Sequence, residues 1–169
     1  LAWLLGLIIA EGSCKSKYSI GIYNNNYELL VKCQKILIEL GLKPKIYKKK
    51  MTVDKRGWKT KQAYALYFTS KKFREILYQF GLEYTNVYHK IVPSSVLKSP
   101  KEVVVAFLEG LFIGDGSCFT YECATKTRLS CALYSVSERL IQDVQTLLRV
   151  LNIYAVKGKR NSKISTKIQ

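Results

Sequence analysis

Leu-Leu-Gly-Leu-Ile-Ile-Ala-Glu-Gly, at residues 4–12, returns in altered form as Leu-Glu-Gly-Leu-Phe-Ile-Gly-Asp-Gly at residues 108–116. Both stretches are apolar on nearly every side, which predicts two buried helices. Each helix carries small residues four positions apart, Gly6 with Ala10 and Gly110 with Gly114, and small residues let two helices approach closely. Packed side by side, the helices would bring their last turns together, and those turns end in Glu11 and Asp115.

The repeat extends beyond these two stretches, which indicates a tandem duplication. Residues 11–14 match residues 115–118 at an offset of 104, and residues 19–42 align with residues 130–153 at an offset of 111. The offset increases by seven residues between the two matches, which predicts a longer β-hairpin in the second half. We therefore divide the chain into a first half at residues 1–92, a linker at 93–99 and a second half at 100–169.

Each half is predicted to run helix, two strands, helix and two more strands. The expected helices are Ala2–Glu11, Tyr27–Leu40, Lys72–Phe80 and Ser137–Leu151, and the expected strands include Tyr18–Asn24, two around Gly57 within Lys43–Lys61, Ala63–Thr69 and a basic region at Tyr154–Lys167. The second buried helix is expected to start at Ser99-Pro100-Lys101-Glu102, with Ser99 as its cap. Compared with the first half, the second half is expected to lack a final strand or two and the last helix. This difference predicts that the natural chain continues past Gln169.

The charge of the chain points to a polyanionic partner. Twenty-eight Lys and Arg residues against twelve Asp and Glu give a formal net charge of +16, more than solubility requires. Nucleic acid and an anionic membrane surface are the candidates, but neither apolar run reaches the roughly 20 residues that span a bilayer. A secretory signal is disfavoured because Glu11 follows the first run directly and a second such run occurs later.

The five cysteines are odd in number and match no paired metal-ligand spacing. We expect a reduced protein with buried thiols, located in the cytoplasm or in an organelle of a eukaryotic host. Zinc binding is the weaker alternative.

With an acid and a glycine at the end of each, the two stretches resemble the paired motifs of LAGLIDADG homing endonucleases, and the resemblance covers essentially the whole chain. It implies an α+β fold of two pseudo-twofold-related α-β-β-α-β-β-α halves, packed through the motif helices, whose curved antiparallel sheets form a DNA-binding saddle. It also implies a monomer that cuts a long, asymmetric site in double-stranded DNA with divalent metal. Mg²⁺ or Mn²⁺ would support the reaction, and Ca²⁺ would be a non-catalytic substitute.

The resemblance assigns Glu11 and Asp115 as metal ligands and catalytic residues. A carboxylate at a helix C-terminus costs about 0.3–1 kcal/mol, a second carboxylate adds repulsion, and a divalent ion would relieve both. The alternative is that both are ordinary helix-terminal acids that cap amides or face solvent. Lys90, in a segment that resembles the lysine-containing stretch before the second motif of many members, is the third catalytic candidate, and a solvated or phosphate-contacting lysine is its alternative.

Family members often carry a polar or basic residue just before the first amphipathic helix of each half. Asn24 and Asn25 occupy this place in the first half, and Ser135 and Val136 occupy it in the second. Val136 departs from the pattern, so the second-half assignment stays open. His89, the only histidine, is interpreted as a packing or hydrogen-bonding residue outside the site.

Basic residues on the predicted strands are the candidates for DNA contact. They are Lys43, Lys45, Lys48, Lys50, Arg56, Lys59 and Lys61 in the first half, and Arg128, Lys157, Lys159, Arg160 and Lys163 in the second. Three alternative functions stay open: an RNA-binding intron maturase of the same fold, in which the acids tend to be lost, a DNA-binding regulator without catalysis, and a membrane-surface protein.

Overall fold

Two buried helices lie side by side at the centre of the protein, α1 (Ala2–Glu11) and α5 (Lys101–Asp115). The structure, a computed structural model, describes residues 1–13, 18–51, 53, 57–58, 61–82, 89–123, 126–160 and 163–168. Among these residues, no helix has both the length and the apolar character needed to cross a membrane.

The first half follows the predicted order of elements. After α1 come β1 (Gly12–Ser13), β2 (Ser19–Asn24), α2 (Tyr27–Glu39), β3 (Lys45–Lys48), β4 (Tyr64–Thr69) and α3 (Lys71–Gln79). The strands form an antiparallel sheet in the order β1-β2-β4-β3. Two strands were expected within Lys43–Lys61, but the described part of that region holds only the strand β3, which pairs directly with β4.

The second half repeats this architecture. A short helix, α4 (Ser94–Leu97), lies in the predicted linker, and α5 is followed by β5 (Gly116–Cys123), β6 (Lys126–Ser135), α6 (Glu138–Val150), β7 (Ala155–Arg160) and β8 (Lys163–Ile168). Their sheet order, β5-β6-β8-β7, is that of the first sheet. The expectation of a missing strand is therefore wrong, because β7 and β8 complete a four-stranded sheet. The longer hairpin predicted for this half is confirmed, with strands of 8 and 10 residues.

The start of α5 differs from the prediction. Pro100 occupies the N-cap position without a side-chain cap, and the Ser99 hydroxyl donates instead to the Ser95 carbonyl at 2.8 Å. Ser99 thus completes the turn that ends α4 and is unavailable to α5.

The cysteine prediction is also wrong in one respect. Cys118 and Cys131 lie directly opposite each other in β5 and β6, with a Cα–Cα distance of 4.1 Å, and form a disulfide. Strand register brings them together, which a sequence separation of 13 did not reveal. Cys33 is a buried free thiol, and burial raises its pKa to about 12. Cys14 and the side chain of Cys123 lie outside the described residues.

The backbones of α1 and α5 touch where the sequence placed its small residues. A Cβ on Gly6 would lie 2.1 Å from the Phe107 carbonyl oxygen, and one on Gly110 would lie 1.9 Å from the Trp3 carbonyl oxygen. Real Cβ atoms do not come so close to backbone, so no side chain fits at either glycine. The predicted close packing of the two helices is confirmed.

The remaining core joins each sheet to its helices. One face of the first sheet buries Ile20, Ile22 and Leu66 against the central helix α1 and against Leu30 and Leu37 of α2. The other face of the sheet is left open.

We predict that Gly110→Ala lowers the free energy of unfolding by about 1–3 kcal/mol or more, because the added methyl group forces the two backbones apart. Urea denaturation measures the change. Glu109→Ala is the control on the same helix, since it removes only an exposed ion pair with Lys32 at 3.8 Å, worth about 0–1 kcal/mol. An unchanged stability for Gly110→Ala would contradict the close backbone contact.

Candidate active site

Both central helices end at an acid and turn at once into a strand. Gly12 follows Glu11 and pairs with Ile22 of β2, and Gly116 follows Asp115 and pairs with Leu133 of β6. The turn leaves no room beside the helix, since a Cβ on Gly12 would lie 2.2 Å from the Ile8 carbonyl oxygen. A Cβ on Gly116 would likewise lie 2.3 Å from the Phe112 carbonyl oxygen, so the backbone path requires the glycine at each helix end.

Glu11 lies in a half-buried position against the last turn of α5. A Cβ on Gly114 would lie 2.9 Å from Glu11 Cγ, so the absence of a side chain at Gly114 makes this proximity possible. Asn24 Nδ2 donates a hydrogen bond to Glu11 Oε1 at 3.1 Å. Burial raises the pKa of Glu11 above its ordinary value and the charge of Asp115 raises it further, while Lys90 and Asn24 act in the opposite direction.

Lys90 lies between the ends of the two central helices. Its Nζ donates to the Ala10 carbonyl oxygen at 3.1 Å and to Asp115 Oδ2 at 3.4 Å. The Lys90 side chain is only 13% exposed, against 29% for Asp115. The structure thus places Lys90 beside the acids rather than on a solvated loop, whereas His89, the preceding residue, is exposed.

The two halves surround their acids differently. Asn24 Oδ1 accepts from the Asn26 amide at 2.8 Å, which orients the amide group of Asn24 toward Glu11. Ser135, at the equivalent position, is buried, and its hydroxyl accepts from the Ser137 amide at 3.1 Å. Ser135 thus contacts the start of α6 and Val136 offers no polar group, and the second-half assignment stays a prediction.

The residues at this site fit a hard divalent cation. Burial and the charge of Asp115 disfavour the negative charge of Glu11, and a bound cation would offset both effects. Mg²⁺ prefers oxygen ligands and is commonly held by one or two carboxylates together with substrate phosphates. No group of three or more His, Cys, Asp or Glu side chains that could hold a metal occurs among the described residues.

A group of tyrosines and lysines lies on the open face of the first sheet. Strand register places Gly21, Tyr67 and Lys45 side by side on that face, opposite to the face of Ile22, Leu66 and Ile46. The hydroxyl groups of Tyr23 and Tyr67 are 2.9 Å apart, and Lys49 Nζ lies 4.1 Å from the centre of the Tyr23 ring.

Strand alternation revises the predicted set of basic contacts in the first half. Lys45 is exposed on the open face, as expected, but Lys48 pairs with Tyr64 on the other side of its strand. Lys49, which the sequence analysis did not select, points to the open face over Tyr23. Counting alternate residues from Lys45 would have found it. Lys43, Lys50 and Lys61 are exposed, and Arg56 and Lys59 lie outside the described residues.

In the second half the structure places the predicted basic residues on strands of the sheet. Lys157 lies on β7 and is exposed, but strand register places it beside Thr166 and Leu133 on the face that carries buried Leu133, and it forms an ion pair with Glu138 of α6. The prediction that Lys157 lies on the DNA-facing side of the sheet is therefore wrong, because alternation along the strand turns it toward the helix. Arg128 lies on β6, Lys159 and Arg160 on β7, and Lys163 on β8, but their side chains lie outside the described part of the structure.

Comparison with known proteins finds relatives of this chain within much longer proteins. The family model described as LAGLIDADG-like domain matches residues 1–81 and 102–168. A DNA polymerase of Acanthamoeba polyphaga mimivirus is 26% identical over 190 residues, which covers 98% of this chain and 10% of the polymerase. A DNA polymerase of Thermococcus sp. (strain GE8) is 29% identical over 171 residues, covering 96% of this chain and 9% of the polymerase. The chain spans about a tenth of the length of these curated relatives.

Solved structures show the same fold. The homing endonuclease I-WcaI bound to its DNA recognition sequence has a TM-score of 0.72 and 18% identity, with 99% of this chain and 74% of that chain covered. I-DmoI in complex with DNA and Mn has a TM-score of 0.66 and 19% identity, with 99% and 88% covered, and I-DmoI has also been solved with DNA and Ca. The likeness confirms the predicted α+β fold with antiparallel sheets.

We predict that Glu11→Gln stabilises the metal-free protein at pH 7 by about 0.3–1 kcal/mol, because it removes a negative charge that burial and the neighbouring Asp115 disfavour, and it keeps the acceptor for Asn24. The folded-state pKa of Glu11 is raised, so its ionisation costs stability as pH rises through that pKa, and the cost vanishes below the unfolded-state value. The difference between the two proteins should therefore disappear in acid.

Thermal denaturation at several pH values, with and without Mn²⁺, measures this effect. Mn²⁺ should raise the midpoint of the wild-type protein more than that of Glu11→Gln. A variant less stable than wild type at pH 7 without metal would contradict the expected electrostatic cost.

Proposed function

The chain belongs to the LAGLIDADG-like domain family, and from this membership we propose that it is a site-specific endonuclease of double-stranded DNA. The observation that carries the proposal is the meeting of Glu11, Asp115 and Lys90 at the ends of the two central helices. An ordinary pair of core helices would have no reason to hold two acids together in a half-buried place. The same three residues would form a centre for phosphodiester hydrolysis.

Glu11 and Asp115 would hold the divalent ion, with Mg²⁺ or Mn²⁺ active and Ca²⁺ supporting binding alone. Such an ion neutralises charge on the phosphate and acidifies water for in-line attack. Lys90 places an ammonium group beside Asp115, where it can donate to a phosphate oxygen. Asn24 keeps one oxygen of Glu11 oriented. Because the pKa of Glu11 is raised, protons should compete with the metal and weaken its binding as pH falls.

The open faces of the two sheets would supply the DNA-binding surface. Exposed basic residues such as Lys45 can neutralise phosphates, and strand residues can reach base edges in the major groove. One chain provides both acids and both sheets, so we propose that it acts as a monomer. Because the two halves differ in sequence, the preferred DNA site would be long and asymmetric.

The polymerase relatives support an origin inside a longer reading frame. An intron is spliced out of the messenger RNA, so an endonuclease that it encodes would not align within a polymerase polypeptide. A protein inserted in the same reading frame as the polymerase would align within it. Alignment with about a tenth of each polymerase therefore favours insertion of the intein type. Its place of action would be the cytoplasm, or an organelle in a eukaryotic host.

Cleavage of a randomised duplex DNA library, with and without Mg²⁺, tests the proposed activity. We expect new ends clustered at one long site only when metal is present. Asp115→Asn should reduce cleavage by at least about 10³-fold, because the centre loses a charged metal ligand, while binding in Ca²⁺ is retained. Binding without ends under any metal would identify a DNA-binding regulator, and metal-independent affinity for intron RNA would identify a maturase.

The salt dependence of DNA binding tests the proposed surface. Lys49→Ala should lower the slope of log K against log salt concentration by about 0.9 if Lys49 contacts one phosphate. The control is Lys35→Ala, which removes an exposed lysine from α2 and should leave the slope unchanged. Equal slopes for all three proteins, measured on the selected site in Ca²⁺, would exclude Lys49 from the interface.

A further inference from the structure

The segment that carries Lys90 is held by two side chains of α6. Ser137 Oγ donates to the Lys90 carbonyl oxygen at 2.6 Å, and the Val92 amide donates to Asp143 Oδ2 at 3.3 Å. Ser137 is fully buried and Asp143 is 7% exposed. The backbone on both sides of Ile91 is therefore fixed to the second half of the protein.

Each of these two side chains is itself held in place. Ser137 is the N-cap of α6, and the hydroxyl that donates to Lys90 also accepts from the Leu140 amide at 3.3 Å. Asp143 Oδ1 accepts from Arg139 Nε at 3.0 Å, one helical turn away. The clamp formed by Ser137 and Asp143 thus rests on a helix rather than on a loop.

The equivalent positions of the first half lack this clamp. Asn26 stands where the second half has Ser137, and its side chain caps α2 by accepting from the Leu29 amide at 3.2 Å. Lys32 stands where the second half has Asp143, and its Nζ lies 4.0 Å from the centre of the Trp3 ring. The repeated fold therefore forms with or without a buried Ser and Asp at these places. Folding alone does not explain the two residues, whereas their hydrogen bonds to the Lys90 segment do.

We propose that Ser137 and Asp143 are positioning residues that keep Lys90 against Asp115. Lys90 Nζ joins the Ala10 carbonyl of α1 to Asp115 of α5, so a shift of its backbone would move the ammonium group away from both. A misplacement of about 1 Å can cost 10²-fold in rate. This inference rests on the proposed function for its effect on cleavage, but the position of Lys90 can be tested without DNA.

The first experiment compares Ser137→Ala and Asp143→Asn with wild type in single-turnover cleavage of the library-selected DNA. We expect rates about 10- to 100-fold lower and unchanged DNA affinity in Ca²⁺. Ser137→Thr keeps both the cap and the donor, and it should restore most of the rate. Ser70→Ala is the control, because it removes the side chain that caps α3 by accepting from the Phe73 amide at 3.1 Å without touching the Lys90 segment, and it should cleave like wild type.

A double-mutant comparison separates positioning from general damage. In a Lys90→Ala background, Ser137→Ala should slow the residual cleavage by less than about 2-fold, because the residue it positions is already gone. A further loss as large as that in the wild-type background would overturn the proposal.

Acetylation of lysines by a small activated ester, followed by peptide mass spectrometry, reads the position of Lys90 without DNA. Lys90 should react slowly compared with the exposed Lys98 in wild type and in Ser70→Ala, and several-fold faster in Ser137→Ala and Asp143→Asn. Unchanged labelling in the clamp variants would overturn the inference even if wild type cleaves. Faster labelling with a wild type that cuts no DNA would uphold the clamp and defeat only the proposed function.

Discussion

The contact between the backbones of α1 and α5 is the constraint on which the other features depend. Gly6 and Gly110 let each helix reach the carbonyl oxygens of the other, and no larger residue fits there. Because each helix leads directly into its own sheet, this contact also fixes how the two sheets meet. It brings Glu11 and Asp115 close enough that the charge of Asp115 raises the pKa of Glu11. The fold and the candidate centre therefore share one structural cause.

The centre is asymmetric although the architecture repeats. Glu11 is oriented by Asn24, whereas Asp115 is contacted by Lys90 from the segment between the halves. A duplicated chain can keep the same sheet order and helix contacts while its polar residues diverge, because packing depends mainly on apolar volume and pattern. The two acids consequently have different surroundings, and α6 can hold Lys90 in a way that α2 cannot.

The charge distribution separates the acidic centre from a basic surface. The chain carries a formal net charge of +16, yet it keeps two carboxylates together where burial raises the pKa of Glu11. The open face of the first sheet combines Lys45 and Lys49 with tyrosine rings. Proteins often accept such local electrostatic cost at functional sites, where it is offset by packing elsewhere.

The sequence by itself determined the duplication, the two central helices, their small contact residues and the acids Glu11 and Asp115, because periodicity and local spacing encode these features. Only the tertiary structure decided the pairing of Cys118 with Cys131, the completeness of the second sheet and the exchange of Lys48 for Lys49 on the open face, because each depends on strand register. The same holds for Lys90, whose neighbours Ala10 and Ser137 are 80 and 47 residues away. Contacts between such distant segments follow from how the halves pack, which no local pattern records.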